Sequence, residues 1–205
     1  MGSVIQLEDI SFTFEGSDRP ALADISILLH PGERVCVAGA NGSGKTTLAL
    51  ALAGVLTPTS GRILVDGRSV SKIAPGSAAL AFQNPDDQMV ASIVEKELAF
   101  GLELLCRSQI EMETTIARLA PQFCIEKLLT RRVETLSGGE KQKVALAAIM
   151  IADPPMLILD EPDAYLDVEG KNALEAAIRR IREKQPDLIE VRITQNFDTI
   201  GRYER

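Results

Sequence analysis

The chain has 205 residues, 45% of them apolar and 25% charged, with a net charge of −7. That composition suits one globular domain with a well-buried core. The acidic balance, without a basic block, argues against nucleic acid as a partner, because phosphate neutralisation needs clustered Lys and Arg.

The segment 3–14, SVIQLEDISFTF, alternates apolar and polar residues and predicts a strand. Ser26 to Leu29 predicts a second strand, and Pro31-Gly32 a turn. Arg34 to Ala38 is a short β-rich run ending on Gly39, and a helix is expected from Lys45 to Gly54. After a turn over 57–61 come a strand from Arg62 to Val65, a hairpin signal at Asp66-Gly67 and a buried strand from Ala78 to Gln83. From Asn84 to Ala152 the apolar spacing turns helical, with Ile93, Leu98, Leu102, Leu105, Ile116 and Leu119 three to five residues apart or in register with that spacing. Met156 to Leu159 reads as a central parallel strand, Asn172 to Lys184 as an amphipathic helix and Leu188 to Thr194 as a last strand. The expected fold is α/β, a parallel core sheet with flanking helices and an antiparallel β part within 1–75. The core would span about 1–83 and 151–205, and a helical subdomain about 84–150.

No apolar run nears the ~18 residues of a membrane-spanning helix. The N-terminus, MGSVIQLEDI, does not read as a signal peptide, so any membrane connection is expected to run through a partner protein. Cys36, Cys106 and Cys124 lack metal-ligand spacing and are expected to be small buried residues of a reducing compartment.

Three motifs carry chemistry. Gly39 to Thr46, GANGSGKT, matches G-x-x-x-x-G-K-[ST] between a predicted strand and a predicted helix. Its glycines let the backbone N–H groups of Asn41, Gly42, Ser43 and Gly44 wrap phosphate, and the helix N-terminus adds positive potential through Thr46 and Thr47. Lys45 can reach the β- and γ-phosphates, and the Thr46 hydroxyl can ligate Mg²⁺. Met156 to Pro162, MLILDEP, sets two carboxylates at the tip of an apolar strand. There Asp160 would hold Mg²⁺ and Glu161 would act as general base toward water. Leu136 to Glu140, LSGGE, opens a helix with Ser137 as its N-cap and two glycines that let a backbone approach phosphate closely.

The P-loop, LSGGE and LILDEP together resemble the ABC (ATP-binding cassette) ATPase family over nearly the whole chain. The resemblance implies a head-to-tail dimer around two Mg·ATP, with Ser137, Gly138 and Gly139 binding the nucleotide held by the partner's P-loop. It also implies that Gln83, in AFQNPDDQ, contacts Mg²⁺ and the attacking water and links to a membrane subunit. Phe14 would stack on adenine, needing only its π-face, while Phe12 belongs to the core; Asp167 would lie at the dimer interface. FQNPDDQ followed by SIVEKELAFGLE is similar to the ATPase subunits of energy-coupling-factor transporters, the cobalt, nickel and vitamin importers. The implied partners are a second ABC ATPase subunit and an integral membrane transporter subunit. The implied location is cytoplasmic, peripheral at the inner face of the cell membrane. The rival functions are a degenerate ATP-binding cassette that regulates an active partner, and a non-transport ABC ATPase of translation or DNA repair.

The chain departs from the family pattern at four places. Gln195 stands where the family has its switch histidine, and the one histidine, His30, sits in the turn LLHPGE, where it is expected to be exposed. Glutamine can donate a hydrogen bond but carries no charge and shuttles no proton. By analogy with loss of one oxyanion donor, the expected cost is about one to three orders of magnitude in hydrolysis rate. Asp163 replaces a small polar residue after DEP, and Tyr165 is bulky for its loop. The chain stops at Arg205, before the family's further hairpin, helices and C-terminal dimerisation region, which implies weak dimerisation without nucleotide.

Overall fold

The computed structural model describes residues 3–74, 76–164 and 166–195, together with Gly201 and Tyr203. Tyr165 therefore lies outside the described residues.

The alternating N-terminal run forms β1 (Ile5–Phe12), paired antiparallel with β2 (Leu22–Leu29) on one side and β4 (Ser60–Val65) on the other. The Asp66-Gly67 turn folds β5 (Arg68–Val70) back onto β4, giving the sheet order β2-β1-β4-β5. Strict alternation would point Ile5 and Leu7 inward and Ile10 outward. Instead the register shifts between Leu7 and Ile10, Asp9 takes φ 49°, and all three are buried. A bulge therefore absorbs one residue and keeps the apolar set on one face.

The second sheet has the order β3-β8-β7-β6, from β3 (Arg34–Ala38), β8 (Ile189–Thr194), β7 (Met156–Asp160) and β6 (Ala79–Ala81). β8 lies parallel to both β3 and β7. Helix α1 (Lys45–Leu52) buries Leu48, Ala49 and Leu52 in one cluster with Val35, Ile158, Val191 and Ile193 of the parallel strands and Leu7, Ile10 and Ile63 of the antiparallel sheet. Each such side chain contributes roughly 1.5–3 kcal/mol by leaving water. Phe12 packs against this cluster half-buried, as expected of a core residue.

The chain divides into two compact units, Met1–Leu80 with Pro155–Glu161 and Pro186–Arg205, and Ala81–Pro154 with Pro162–Gln185. Residues 162–185 thus go with the helices rather than with the core sheet. The second unit is built from α2 (Val94–Leu104), α3 (Gln109–Phe123), α4 (Gly138–Met150) and α5 (Val168–Lys184). Their buried faces carry Leu98 and Leu102, Ile116 and Phe123, Val144 and Leu146, and Leu174 and Ile178. α3 and α4 each start with a capping box, Ser108 with Glu111 and Ser137 with Glu140.

The cysteine expectation is corrected. Cys106 and Cys124 are exposed, and Cys36 is half-buried. Both exposed cysteines take positive φ, 53° and 55°, where α2 and α3 end, so they serve the helix stops rather than the core. His30 is exposed in its turn, as expected.

Candidate functional site

In the first unit, β3 runs out at Ala38 and α1 starts at Lys45, so the loop 39–44 has six residues to reverse from sheet to helix. Gly44 makes that possible. It takes φ 90°, and a Cβ there would stand 2.3 Å from the Ala21 carbonyl oxygen. As the N-cap of α1 it brings no capping side chain, which leaves the first-turn amides for a ligand rather than for the protein itself. Asn41, Gly42 and Ser43 are exposed at the crown of the loop, and Thr47 is buried beneath it. Lys45 is buried, and its Nζ donates to the carbonyls of Gly39 at 2.9 Å and Ala40 at 2.8 Å. The ammonium is thus held along the inside of the loop, within reach of anything the loop encloses.

The tip of β7 meets this helix. The Thr46 hydroxyl donates to Asp160 Oδ2 at 2.8 Å, across 114 residues of sequence. Burial pushes the Asp160 carboxyl above the ordinary aspartate range, against the opposing Thr46 hydrogen bond, and the neighbouring Glu161 adds to the rise. A cation placed here would therefore be welcomed electrostatically. The two groups are hard oxygen donors with one carboxylate between them, a set that suits Mg²⁺, which takes one or two carboxylates and completes its shell with water and phosphate. Among the described residues no cluster of three His, Cys, Asp or Glu could bind a metal by itself, so a phosphate-bearing ligand would have to share the ion.

Glu161 takes φ 47°, and its N–H donates to the carbonyl of Ile193 at 3.0 Å. Gln195 Nε2 donates to Glu161 Oε1 at 2.5 Å. Gln195, read apart from the carboxylate pair Asp160 and Glu161 in the sequence, is thereby brought onto that pair, whose Asp160 meets Thr46 of the P-loop. Phe14 is 49% exposed in the same unit and packs edge-on against Phe12, with ring centroids 4.9 Å apart. It is not a core residue.

The second unit carries the remaining candidates. Ser137 Oγ accepts from Glu140 N at 3.3 Å, and Glu140 Oε2 accepts from Ser137 N at 2.8 Å. Gly138 and Gly139 take ordinary negative φ; a Cβ at Gly138 would meet nothing, and one at Gly139 only Gly170 Cα at 3.9 Å. Among the described residues no crowding requires glycine at either place. Both line a cavity of about 620 Å³ with Lys143, Asp167, Glu169 and Gly170. Asp167 caps α5 by accepting from Gly170 N at 2.7 Å. Gln83 lines a separate cavity of about 250 Å³ with Asp86, Lys141, Gln142 and Pro162. Asp163 falls in this unit too.

Two residues escaped sequence reasoning. Lys141 Nζ binds Asp86 Oδ1 at 2.6 Å, tying the segment after Gln83 to α4. Buried Glu97 accepts from Val90 N at 2.9 Å and Ala91 N at 2.6 Å through a single oxygen. A glutamate on the apolar face of α2, four residues after Ile93, was the available signal.

Residues 22–164 match the family model described as ABC transporter. The chain is 38% identical over 201 residues to the energy-coupling factor transporter ATP-binding protein EcfA1 of Mycoplasmopsis synoviae strain 53, covering 95% of this chain and 75% of that protein. It is 37% identical over 207 residues to the energy-coupling factor transporter ATP-binding protein EcfA of Methanosarcina acetivorans, covering 98% of this chain and 74% of the other. Among solved structures, cbiO1 from Clostridium perfringens, part of the ABC transporter complex cbiONQ, superposes with a TM-score of 0.87 at 27% identity. That match covers 99% of this chain and 82% of the cbiO1 chain. No helix among the described residues is long and apolar enough to cross a membrane.

Proposed function

The chain belongs to the ABC transporter family as an ATPase of the energy-coupling factor type, and from that premise we propose that it dimerises around two Mg·ATP to drive a membrane transporter. The observation that carries this is a pair of hydrogen bonds on adjacent residues at the tip of β7, Thr46 to Asp160 and Gln195 to Glu161, which sets the metal-binding and water-activating carboxylates beside the P-loop helix.

In this reading the loop amides and Lys45 hold the β- and γ-phosphates, while Phe14 offers its open ring to adenine. Thr46 and Asp160 would hold Mg²⁺, and when bound that ion would neutralise charge developing on the phosphoryl oxygens. Glu161 takes the proton of the attacking water, and Gln195 keeps its carboxylate aimed. Gly138 and Gly139 bear no side chain although nothing in the chain forbids one. This supports the close approach of a ligand brought by another subunit, with Ser137 contacting its γ-phosphate. Asp167 and the 620 Å³ cavity would then lie at the dimer interface. The partners are a second ABC ATPase subunit and an integral membrane subunit, the latter docked by the segment around Gln83 and Asp86. The location is the cytoplasmic face of the membrane. Nucleic acid has no place in this reading.

The test is steady-state ATP hydrolysis at high protein concentration, with Glu161→Gln as blank and Gln195→His as comparison. Turnover above the blank supports the proposal. Turnover equal to the blank, restored by Gln195→His, supports the second reading, a regulatory cassette paired with an active partner. That reading is favoured only by the uncharged group at position 195.

A further inference from the structure

β8 departs from what a buried parallel strand ordinarily carries. Such strands are near-continuous apolar runs, yet between Ile189, Val191 and Ile193 stand Glu190, fully buried, and Arg192, 2% exposed. In the parallel register Glu190 lies opposite Arg34, and Arg192 opposite Cys36. Arg34 Nε donates to Glu190 Oε2 at 3.1 Å. Beyond the end of β8, Tyr203 closes the group. Its hydroxyl donates to Glu190 Oε1 at 2.6 Å and accepts from an Arg192 guanidinium N–H at 3.2 Å. The Arg34 guanidinium lies 4.5 Å from the centroid of its ring. Burial first, and the Glu190 carboxylate as well, push the phenol well above its ordinary range, so its proton stays in place to be donated.

What this group holds is the strand that holds the general base. Ile193, next to Arg192, accepts the Glu161 N–H, and Gln195, three residues on, donates to the Glu161 carboxylate. We infer that Tyr203 is a positioning residue for ATP hydrolysis, fixing β8 through Glu190 and Arg192 and thereby the placement of Glu161. The inference rests on the hydrolytic reading of Glu161 given above. Its physics is that a buried charge deprived of a hydrogen bond is costly. Without the hydroxyl, Glu190 Oε1 and the Arg192 guanidinium each lose one hydrogen bond, and the backbone of β8 shifts to restore it. The hydrogen bonds that hold Lys45, to the Gly39 and Ala40 carbonyls, involve no member of this group, so nucleotide binding should suffer less than turnover.

The test uses Tyr203→Phe, which keeps the ring, its volume and the stacked guanidinium, in the whole chain. Since a misplacement of about 1 Å can cost roughly 100-fold in rate, the smaller shift here should lower kcat about tenfold while KM for ATP stays within about twofold. The same substitution in an E190V/R192I background, where neither fully buried charge of β8 is left to bond the hydroxyl, should change kcat less than about twofold. An unchanged kcat for Tyr203→Phe, or an equal loss in both backgrounds, overturns the inference. Amide hydrogen exchange gives a readout independent of turnover, and Tyr203→Phe should speed exchange at Glu161 and Thr194. If the native chain fails to exceed the Glu161→Gln blank, the hydrolytic reading falls. Unchanged exchange at those amides then overturns the positioning role separately.

Discussion

Gln195 and Glu161, 34 residues apart in sequence, are joined side chain to side chain, with Gln195 Nε2 as donor and Glu161 Oε1 as acceptor at 2.5 Å. An amide in this place holds the carboxylate without titrating. Turnover should therefore lack the limb at about pH 6.5 that a titrating histidine would impose. The expected kcat is flat between about pH 6 and 8 in the native chain, whereas Gln195→His should make kcat change with pH through that range. Gln195→Ala should cost about 100-fold in kcat, the low end of losing one preorganised donor. A native profile that already falls below pH 7 would show that another group sets the limb.

Gly44 should tolerate no side chain. Its φ of 90° is strained for any other residue, and a Cβ would overlap the Ala21 carbonyl oxygen at 2.3 Å. The obstacle is backbone, not a side chain that can swing away. Gly44→Ala should destabilise by about 1–3 kcal/mol through the forced backbone conformation alone. It should also weaken nucleotide binding more than stability, since the loop amides turn with the strained residue. Thermal melting paired with titration of a fluorescent ATP analogue separates the two losses. Full affinity in the variant would contradict the geometry.

Glu97 offers a contrast between two substitutions at one site. Both of its amide partners, Val90 and Ala91, donate to the same oxygen. Glu97→Gln can present its carbonyl oxygen there and should cost less than about 1 kcal/mol. Glu97→Ala leaves two N–H groups without an acceptor at a buried carboxylate position, for a loss of about 2–4 kcal/mol. Denaturant titration of both variants decides, and equal losses would mean that the negative charge, rather than the acceptor, is what the loop requires.

The parts of the fold legible beforehand were those decided by local chemistry. GANGSGKT specifies a strand–loop–helix by itself, and Ser137 was recognisable as an N-cap because Glu140 stands three residues on. The sequence pattern starts α5 at Asn172, four residues late, because Glu169-Gly170-Lys171 is polar and contains a glycine and Val168 before it stands alone. The cap at Asp167, and not helix propensity, decides that boundary. Similarly β2 begins at Leu22 rather than Ser26, its Ala23-Asp24 stretch being an exposed edge that needs no apolar pattern. The Gln195–Glu161 contact could not be read at all, because it depends on the strand order that sets β8 beside β7; the Tyr203–Glu190 contact escaped because a buried glutamate within an apolar strand names no partner.

The carboxylate of Glu140 makes the start of α4 sensitive to acid. Its largest influence is the Ser137 backbone N–H, which holds the carboxyl below the ordinary glutamate range, with the Ser137 hydroxyl and Arg131 acting in the same direction. A depressed folded pKa means that the contribution is complete above the unfolded value, near 4.3, and is lost as pH falls through the folded one. Glu140→Gln keeps a capping oxygen but not the charge, so the difference between the two proteins isolates the ionic part. With the side chain 30% exposed, that part is at most about 0.3–1 kcal/mol, or roughly 1–4 °C in melting temperature for a chain of this size. The native protein should melt higher by that margin from about pH 5 to 8, and the gap should close below about pH 4. Other depressed carboxylates, Asp66 and Glu111, are present in both proteins and cancel. A gap that persists at pH 3 would locate the loss in the shape of the cap rather than in its charge.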